Sequence, residues 1–274
     1  MTKEERIARI KENKEEYKVL YESLKDRNTY FNWLQKQMVS TSSALERCQT
    51  ITRMAKQMGV KDEDIQRVYE LEDSNHFDAF NLMVEAVAMN IPLSEMLIFS
   101  LHREVLKKIN DYEAGFYRRD RVRLLNSSTI LPSATKVPGL MERLVRDYEK
   151  TSSEIVLQAF NMHHQFVSIH PFADGNGRTG RLLMNFHLLK HAYFPVVIHP
   201  HQRSDYLDSL EALSVKEDRE TYHSFMLSQM ESTFTECMDK MITLPRIITS
   251  HSMFIVGRYK SLCTQANETQ KIKD

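Results

Sequence analysis

Three of the seven glycines in this chain, Gly175, Gly177 and Gly180, fall within six positions. At average usage of about 7%, a chain of 274 residues would hold roughly 19 glycines. Glycine and proline are the residues that punctuate turns, and with only seven of each a turn-dense all-β or collagen-like architecture is excluded. Abundant Leu, Met, Glu and Lys favour helices, so the expected class is all-α, and the glycine cluster marks the place where that helical body is interrupted for a purpose.

The charges balance at 37 basic and 37 acidic residues, so no net field holds the chain to nucleic acid or to an anionic lipid surface, and neither is expected as a partner. Cys48, Cys237 and Cys263 are odd in number and widely spaced, which argues against a disulfide framework or a thiolate metal site. The first residues, MTKEERIARIKENKEE, are too charged for a signal peptide, and no stretch approaches the roughly 18 apolar residues of a membrane span. A cytoplasmic protein is expected.

Helical periodicity is read at residues 3–26, at 30–38 and from about Ala44, with the hydroxyls of Ser40, Thr41, Ser42 and Ser43 placed to cap a helix start near 40. Further helices are expected at 62–71, 76–89 and 94–109. Between Gly115 and Pro138 the period is lost, and Asn126-Ser127-Ser128 supplies a turn signal, which predicts an irregular β-hairpin. Helices resume at Pro138 and, after a capping pattern at 151–154, along a stripe containing Val156, Phe160, His163 and Phe166. A loop at 170–177, a helix from about Arg178, a short extended link at 193–201 and helices over 204–241 complete the pattern. The polar end from 265 is expected to fray. His163 belongs to the core, and His164, His199 and His201 have no ligand-spaced partners that would make them a metal site.

Residues 170–181 read His-Pro-Phe-Ala-Asp-Gly-Asn-Gly-Arg-Thr-Gly-Arg. Gly175 and Gly177 flank Asn176 and let successive backbone N–H groups turn toward one point at a helix N-terminus, which makes an anion nest. Arg178 and Arg181 are three apart, on one face of the first turn, and can reach the same anion. Asp174 is a hard carboxylate suited to Mg2+ on a polyphosphate. His170 is the side chain suited to take a proton from a hydroxyl at neutral pH, and Phe172 anchors the loop in the core. A plain glycine-rich turn with a satisfied core histidine is the bland alternative, but so much chemistry in twelve residues of a glycine-poor chain outweighs it.

The segment resembles the signature of the Fic (Fido domain) family, HPF-x-[DE]-GN-[GK]-R-x-x-R, at every specified position. The likeness extends from about Ser40 to Met241 through Gly115-Phe116-Tyr117-Arg118, ILPSATKVP and QRSDY at 202–206. It implies a helical catalytic domain at 40–241, between an N-terminal helical region at 1–39 and a C-terminal extension at 242–274. The implied activity is that of a protein adenylyltransferase, moving AMP from Mg-ATP to a Ser, Thr or Tyr hydroxyl of a target protein or of itself. His170 is then the catalytic residue; Asp174, Gly175, Asn176, Gly177, Arg178, Thr179, Gly180, Arg181 and Tyr206 bind ATP, with Mg2+ on Asp174. The flap at Asn126, Ser127, Ser128, Thr129 and Ile130 docks the target by strand addition. Gly177 stands where the phosphotransferase branch carries Lys, which favours AMP transfer.

Ser42-Ser43-Ala44-Leu45-Glu46 resembles the family's inhibitory helix, [ST]-x-x-x-E-[GN], whose Glu pairs with the second motif Arg, here Arg181. Arg47 departs from the pattern, and Leu207 and Ser214 fall where the family often has Tyr and Asn near the base. The rival readings are another nucleotide donor, the reverse removal of AMP, or a non-catalytic nucleotide-sensing module. A homodimer is compatible with the resemblance.

Overall fold

The computed structural model describes residues 1–47, 49–124, 127–148, 154–247, 249 and 252–257. Asn126 of the expected flap, the capping pattern at 151–153, Cys48, Cys263 and the polar end from 265 lie outside the described residues. The chain is mostly helical, and none of its described helices is long and apolar enough to cross a membrane. Two compact units emerge, residues 1–34 with 230–274, and residues 35–229.

The first unit is built on α1 (Lys3–Ser23). Thr2 caps it, accepting from Glu5 N–H while the Glu5 side chain accepts from Thr2 N–H, so two otherwise orphaned donors are satisfied. Ile7, Ile10 and Leu20 are buried on its apolar stripe. Arg6 reaches Glu231 through two hydrogen bonds of 2.9 Å. The Lys25 N–H donates to Pro245 O at 3.0 Å and the Ile247 N–H to Ser23 O at 2.7 Å, pinning the two ends of this unit.

In the second unit α7 (Ile155–Ile169) and α8 (Asn176–Lys190) form the central pair, with α4 (Asp62–Ala88) and α5 (Glu95–Leu106) packed on each other and on α8, and α6 (Val137–Tyr148) on α7. Phe160, Phe166, Phe172 and Phe186 are fully buried in this core. Gly180 allows the close approach: a Cβ there would stand 3.0 Å from Val167 Cγ1 and 3.2 Å from Phe166. After α8 the extended link is tied down by Asn185, which donates to Val196 O at 3.0 Å and accepts from Val196 N–H at 2.8 Å. That explains how residues 193–198 are buried without belonging to a strand or helix.

Three expectations change. No helix starts near 40; α2 runs from Arg27 to Glu46, with the short α3 (Gln49–Gln57) after it. Ser40 and Thr41 donate back to the carbonyls of Lys36 and Gln37 at 2.7 Å, the local bond hydroxyls make inside a helix rather than at its cap. Residues 62–88 form one helix because Asn75, buried at its middle, sends its side chain across to Lys107 O at 2.6 Å and leaves the backbone ladder of α4 intact. The expected hairpin is not seen: the described residues of 121–133 hold no strand, since no described segment pairs with them in a ladder. Beyond it, α9 (Arg203–Lys216) and α10 (Arg219–Thr243) are separated by Glu217 in the left-handed region and by Asp218, which accepts from Thr221 N–H. The compact-unit boundary falls inside α2 and α10.

Burial pushes His163 down to about 3 and His187 down to about 4, and both are almost inaccessible to water. The folded unit therefore holds them neutral while the unfolded chain takes up protons below its ordinary value of about 6.5. Their contribution is complete above pH 6.5 and shrinks as pH falls toward 4, by up to about 1.4 kcal/mol per pH unit for each histidine. Thermal melts between pH 7.5 and 4.5 should show a falling midpoint, and His187→Phe should flatten the fall; a level profile contradicts this account.

Candidate active site

The site forms where α7 ends and α8 begins. His170 caps α7 in the left-handed region at φ 51°, and Gly175 starts α8 at φ 75°. Just after Gly175, Asn176 turns its side chain inward, accepting from Phe172 N–H and donating to Phe172 O, both at 2.9 Å. The amide thus replaces a backbone turn and holds Phe172 in the core, where its ring is fully buried. The first N–H groups of α8, at Asn176 to Arg178, point out of the helix end, together with the positive end of its dipole.

His170 Nδ1 lies 3.3 Å from the Val167 carbonyl oxygen. A carbonyl only accepts, so Nδ1 carries the proton and Nε2 keeps the lone pair. Burial, with the charge of Arg118, lowers the imidazole's pKa and keeps it neutral near pH 7. Arg118, almost fully buried, fixes the backbone around it: Nε donates to His170 O at 2.7 Å, its N–H to Pro171 O at 2.9 Å, and Nη2 to Pro132 O at 2.6 Å.

Asp174 is exposed, with Oδ1 accepting from Gly175 N–H at 2.6 Å and Oδ2 3.5 Å from Arg178 Nη2. Arg178 is 2% exposed, and its Nη1 lies 3.4 Å from Glu72 on α4. Its Nε and Nη1 make no hydrogen bond among the described residues. A buried guanidinium with unused donors beside a helix N-terminus is a seat for an anion with several oxygens. One exposed carboxylate at its rim suits Mg2+, which keeps most of its waters and takes few protein oxygens. The residues present therefore fit a metal-bound polyphosphate, and no group of three metal-binding side chains occurs among the described residues.

Arg181 is engaged by α2. Its Nη2 donates to Glu46 Oε1 at 2.6 Å and to Ser42 O at 2.9 Å, and its Nε to Ser42 Oγ at 2.9 Å. Burial raises the pKa of Glu46, but the charges of Arg181, Arg178 and Arg203 outweigh it and bring the carboxyl below its ordinary value. Glu46 also lies against Gly177, whose missing Cβ leaves the room: a Cβ built there would stand 2.8 Å from the carboxyl carbon and closer still to Oε1. Arg203 donates to Leu45 O at 2.7 Å and so satisfies the end of α2. Arg47 turns away, to Asp73 at 2.7 Å and over the Tyr69 ring, so it takes no part in the Arg181 cluster.

The loop, both motif arginines and Glu46 therefore converge, and three further expected ligand contacts, Thr179, Gly180 and Tyr206, are buried beside them. Thr179 is fully buried and Gly180 packs on α7, because residues one and two positions past Arg178 face the core side of α8. Tyr206 is buried too. The Tyr222 hydroxyl donates to Phe160 O at 3.0 Å and accepts from His163 Nδ1, leaving His163 Nε2 to accept from the Tyr206 hydroxyl at 2.9 Å. The Tyr206 hydroxyl also bonds the Arg181 side chain, so it is buried against the second motif arginine. In the flap, the Ser128 N–H donates to Glu211 at 3.0 Å, the Thr129 N–H donates to the Ser127 hydroxyl oxygen at 3.1 Å, and Ile130 is 87% exposed.

Sequence reasoning passed over Glu72, Arg203 and His102. The imidazole of His102, fully buried on α5, stacks on Phe172 with ring centroids 3.6 Å apart and contacts the loop at Asp174 O, 2.9 Å from Nε2. Its signal was one polar residue inside the apolar stripe of Leu97, Ile98, Leu101 and Val105.

Fold and site together define a helical protein that sets a helix start carrying two buried arginines beside a neutral histidine. Residues 92–188 match the Fic/DOC family. It is 39% identical over 117 residues to the protein adenylyltransferase Fic of Drosophila mojavensis, a match covering 42% of this chain and 23% of that one. The Drosophila melanogaster protein of the same name is 40% identical over an equal span, again 23% of its length. The matched region is thus less than a quarter of these relatives. A Fic domain-containing signaling protein from Bacteroides thetaiotaomicron shares the fold with a TM-score of 0.71 at 23% identity, over 86% of this chain and 98% of that one. A Fic family protein from Desulfovibrio desulfuricans does so with a TM-score of 0.67 at 24% identity, over 89% and 77%.

A double-mutant cycle tests the Glu46 seat. Gly177→Ala should destabilise the parent by more than about 1 kcal/mol and cost clearly less in a Glu46→Gly chain, because Glu46 is the group nearest the added methyl and the next, Arg181 Nη1 at 3.0 Å, is the end of a flexible side chain. Equal effects in both chains, measured by chemical unfolding, would remove Glu46 from that seat.

Proposed function

We propose that the protein transfers AMP from Mg-ATP to a hydroxyl of a target protein, and that Glu46 holds the enzyme in check. The observation that carries this reading is a neutral His170, with its lone pair on Nε2, set one short loop away from a buried, under-bonded Arg178 at the start of α8. The relatives' name, protein adenylyltransferase, supports the same reaction class.

In this mechanism the target's Ser, Thr or Tyr hydroxyl gives its proton to His170 Nε2 as its oxygen attacks the α-phosphorus, and pyrophosphate leaves. The N–H groups from Asn176 to Arg178 and the guanidiniums of Arg178 and Arg181 hold the phosphates and the charge that develops on them. Asp174 would hold Mg2+, whose bound charge offsets that of the phosphates. Arg118 keeps the His170 backbone in place while the proton moves. The segment at 127–130, which pairs with no strand among the described residues, takes the target chain as an added strand.

Inhibition follows from competition for Arg181. While Nη2 is bonded to Glu46 and Ser42, a phosphate oxygen must displace a charged, hydrogen-bonded carboxylate to reach it. Glu46 also fills the space over Gly177, where the phosphate chain would lie along the helix end.

With α-labelled ATP, Glu46→Gly should raise labelling of protein in lysate and of the chain itself by about tenfold or more, the scale of a 1.4 kcal/mol competitor. Adding His170→Ala should lower it about 100-fold or more, as loss of a general base does. Equal labelling with and without His170 would sink the base assignment. Because Tyr206 is buried, ATP, GTP, CTP and UTP should be compared side by side; transfer from UTP with none from ATP replaces AMP with UMP in this reading.

A further inference from the structure

The HPF loop is held by a histidine outside the motif. His102 meets three points of it at once: the Phe172 ring, stacked at 3.6 Å and 5°; the Asp174 carbonyl, 2.9 Å from Nε2; and Gly175, where an added Cβ would stand 3.2 Å from the imidazole. On its other side the Gly115 N–H donates to His102 Nδ1 at 2.9 Å. An N–H can only donate, so Nδ1 carries the lone pair, Nε2 carries the proton, and the bond to Asp174 runs from the imidazole to the carbonyl. Both nitrogens are spent on backbone, and none of the ring is accessible to water.

Gly115, at φ 80°, opens the turn that delivers Arg118, the residue that grips His170 O, Pro171 O and Pro132 O. One imidazole therefore joins the support of the proposed base to the start of the anion seat. We propose that His102 is a positioning residue: it sets where Asp174 and the first N–H groups of α8 stand relative to His170, and so tunes the Mg2+-dependent part of nucleotide binding and the alignment for transfer. This rests on the AMP-transfer reading for its catalytic half; the binding half stands without it.

Three substitutions separate a positioning role from core filling. His102→Phe keeps the stacked ring and loses both hydrogen bonds; His102→Gln loses the ring but can still donate from about the place of Nε2; His102→Asn can still accept from Gly115 at about the place of Nδ1. Each is made in the Glu46→Gly chain, its folded state is checked by near-UV circular dichroism, and Kd for ATP is measured with and without Mg2+, followed by kcat at saturating Mg-ATP. We expect His102→Phe to weaken Mg-ATP binding at least tenfold while changing metal-free ATP binding less than threefold. In His102→Gln both values should stay within about threefold of the parent, with His102→Asn between the two. In kcat, Phe should lose about 100-fold, the scale of a misplacement of about 1 Å, and Gln should recover most of it.

If His102→Phe binds Mg-ATP as the parent does, or if the Gln variant is no better than Phe or does not fold, His102 belongs to the core and the proposal fails. A parent that binds Mg-ATP but transfers nothing from it overturns AMP transfer instead, and the Mg2+-dependent affinities still decide the role of His102.

Discussion

The reversal of the chain between α7 and α8 is the constraint on which the rest depends. Six residues turn it around, and they do so with a histidine and a glycine in the left-handed region, at φ 51° and φ 75°. A non-glycine residue there is disfavoured, and it persists because its surroundings over-determine it. The His170 carbonyl is gripped by Arg118, Phe172 is clamped through its backbone by Asn176, and Asp174 is held from His102. Gly180 lets the two helices close on each other, so that the strained junction lies on a rigid pair rather than on a mobile loop.

The electrostatics follow from that geometry. A helix start carries unsatisfied donors and positive potential, and two arginines on its first turn add to it. In a chain with no net charge, such a concentration demands a counter-charge. Glu46 supplies one from the end of α2, and Glu72 lies beside Arg178 from α4. Arg178 nonetheless keeps Nε and Nη1 without a hydrogen bond among the described residues, so the internal salt bridges do not use up its donors.

Much of this was legible in the residues. The helical class followed from scarce glycine and proline, and most helices from their apolar period. The loop chemistry followed from His170, Asp174 and the two arginines standing within twelve positions, and Glu46 was picked out by its resemblance to the family's inhibitory helix, which was expected to start near residue 40 rather than to end at Glu46. The misplaced boundaries have physical causes. Ser40 and Thr41 are good caps by type, but inside a helix their hydroxyls bond back to its carbonyls. Residues 121–133 have strand-like composition, but composition does not supply the neighbouring strand that a ladder requires.

The sequence by itself determined the chemistry at the junction, because the spacing of His170, Gly175, Gly177, Arg178 and Arg181 acts within one loop and one helical turn, where distance along the chain is distance in space. Tertiary structure alone decided what that chemistry leans on. His102, Arg118, Glu72 and Arg203 reach the site from 50 or more positions away or from other helices, and no period along the chain encodes such meetings. It also decided that Tyr206 is buried between His163 and Arg181, because burial is a property of the packed whole and not of a motif.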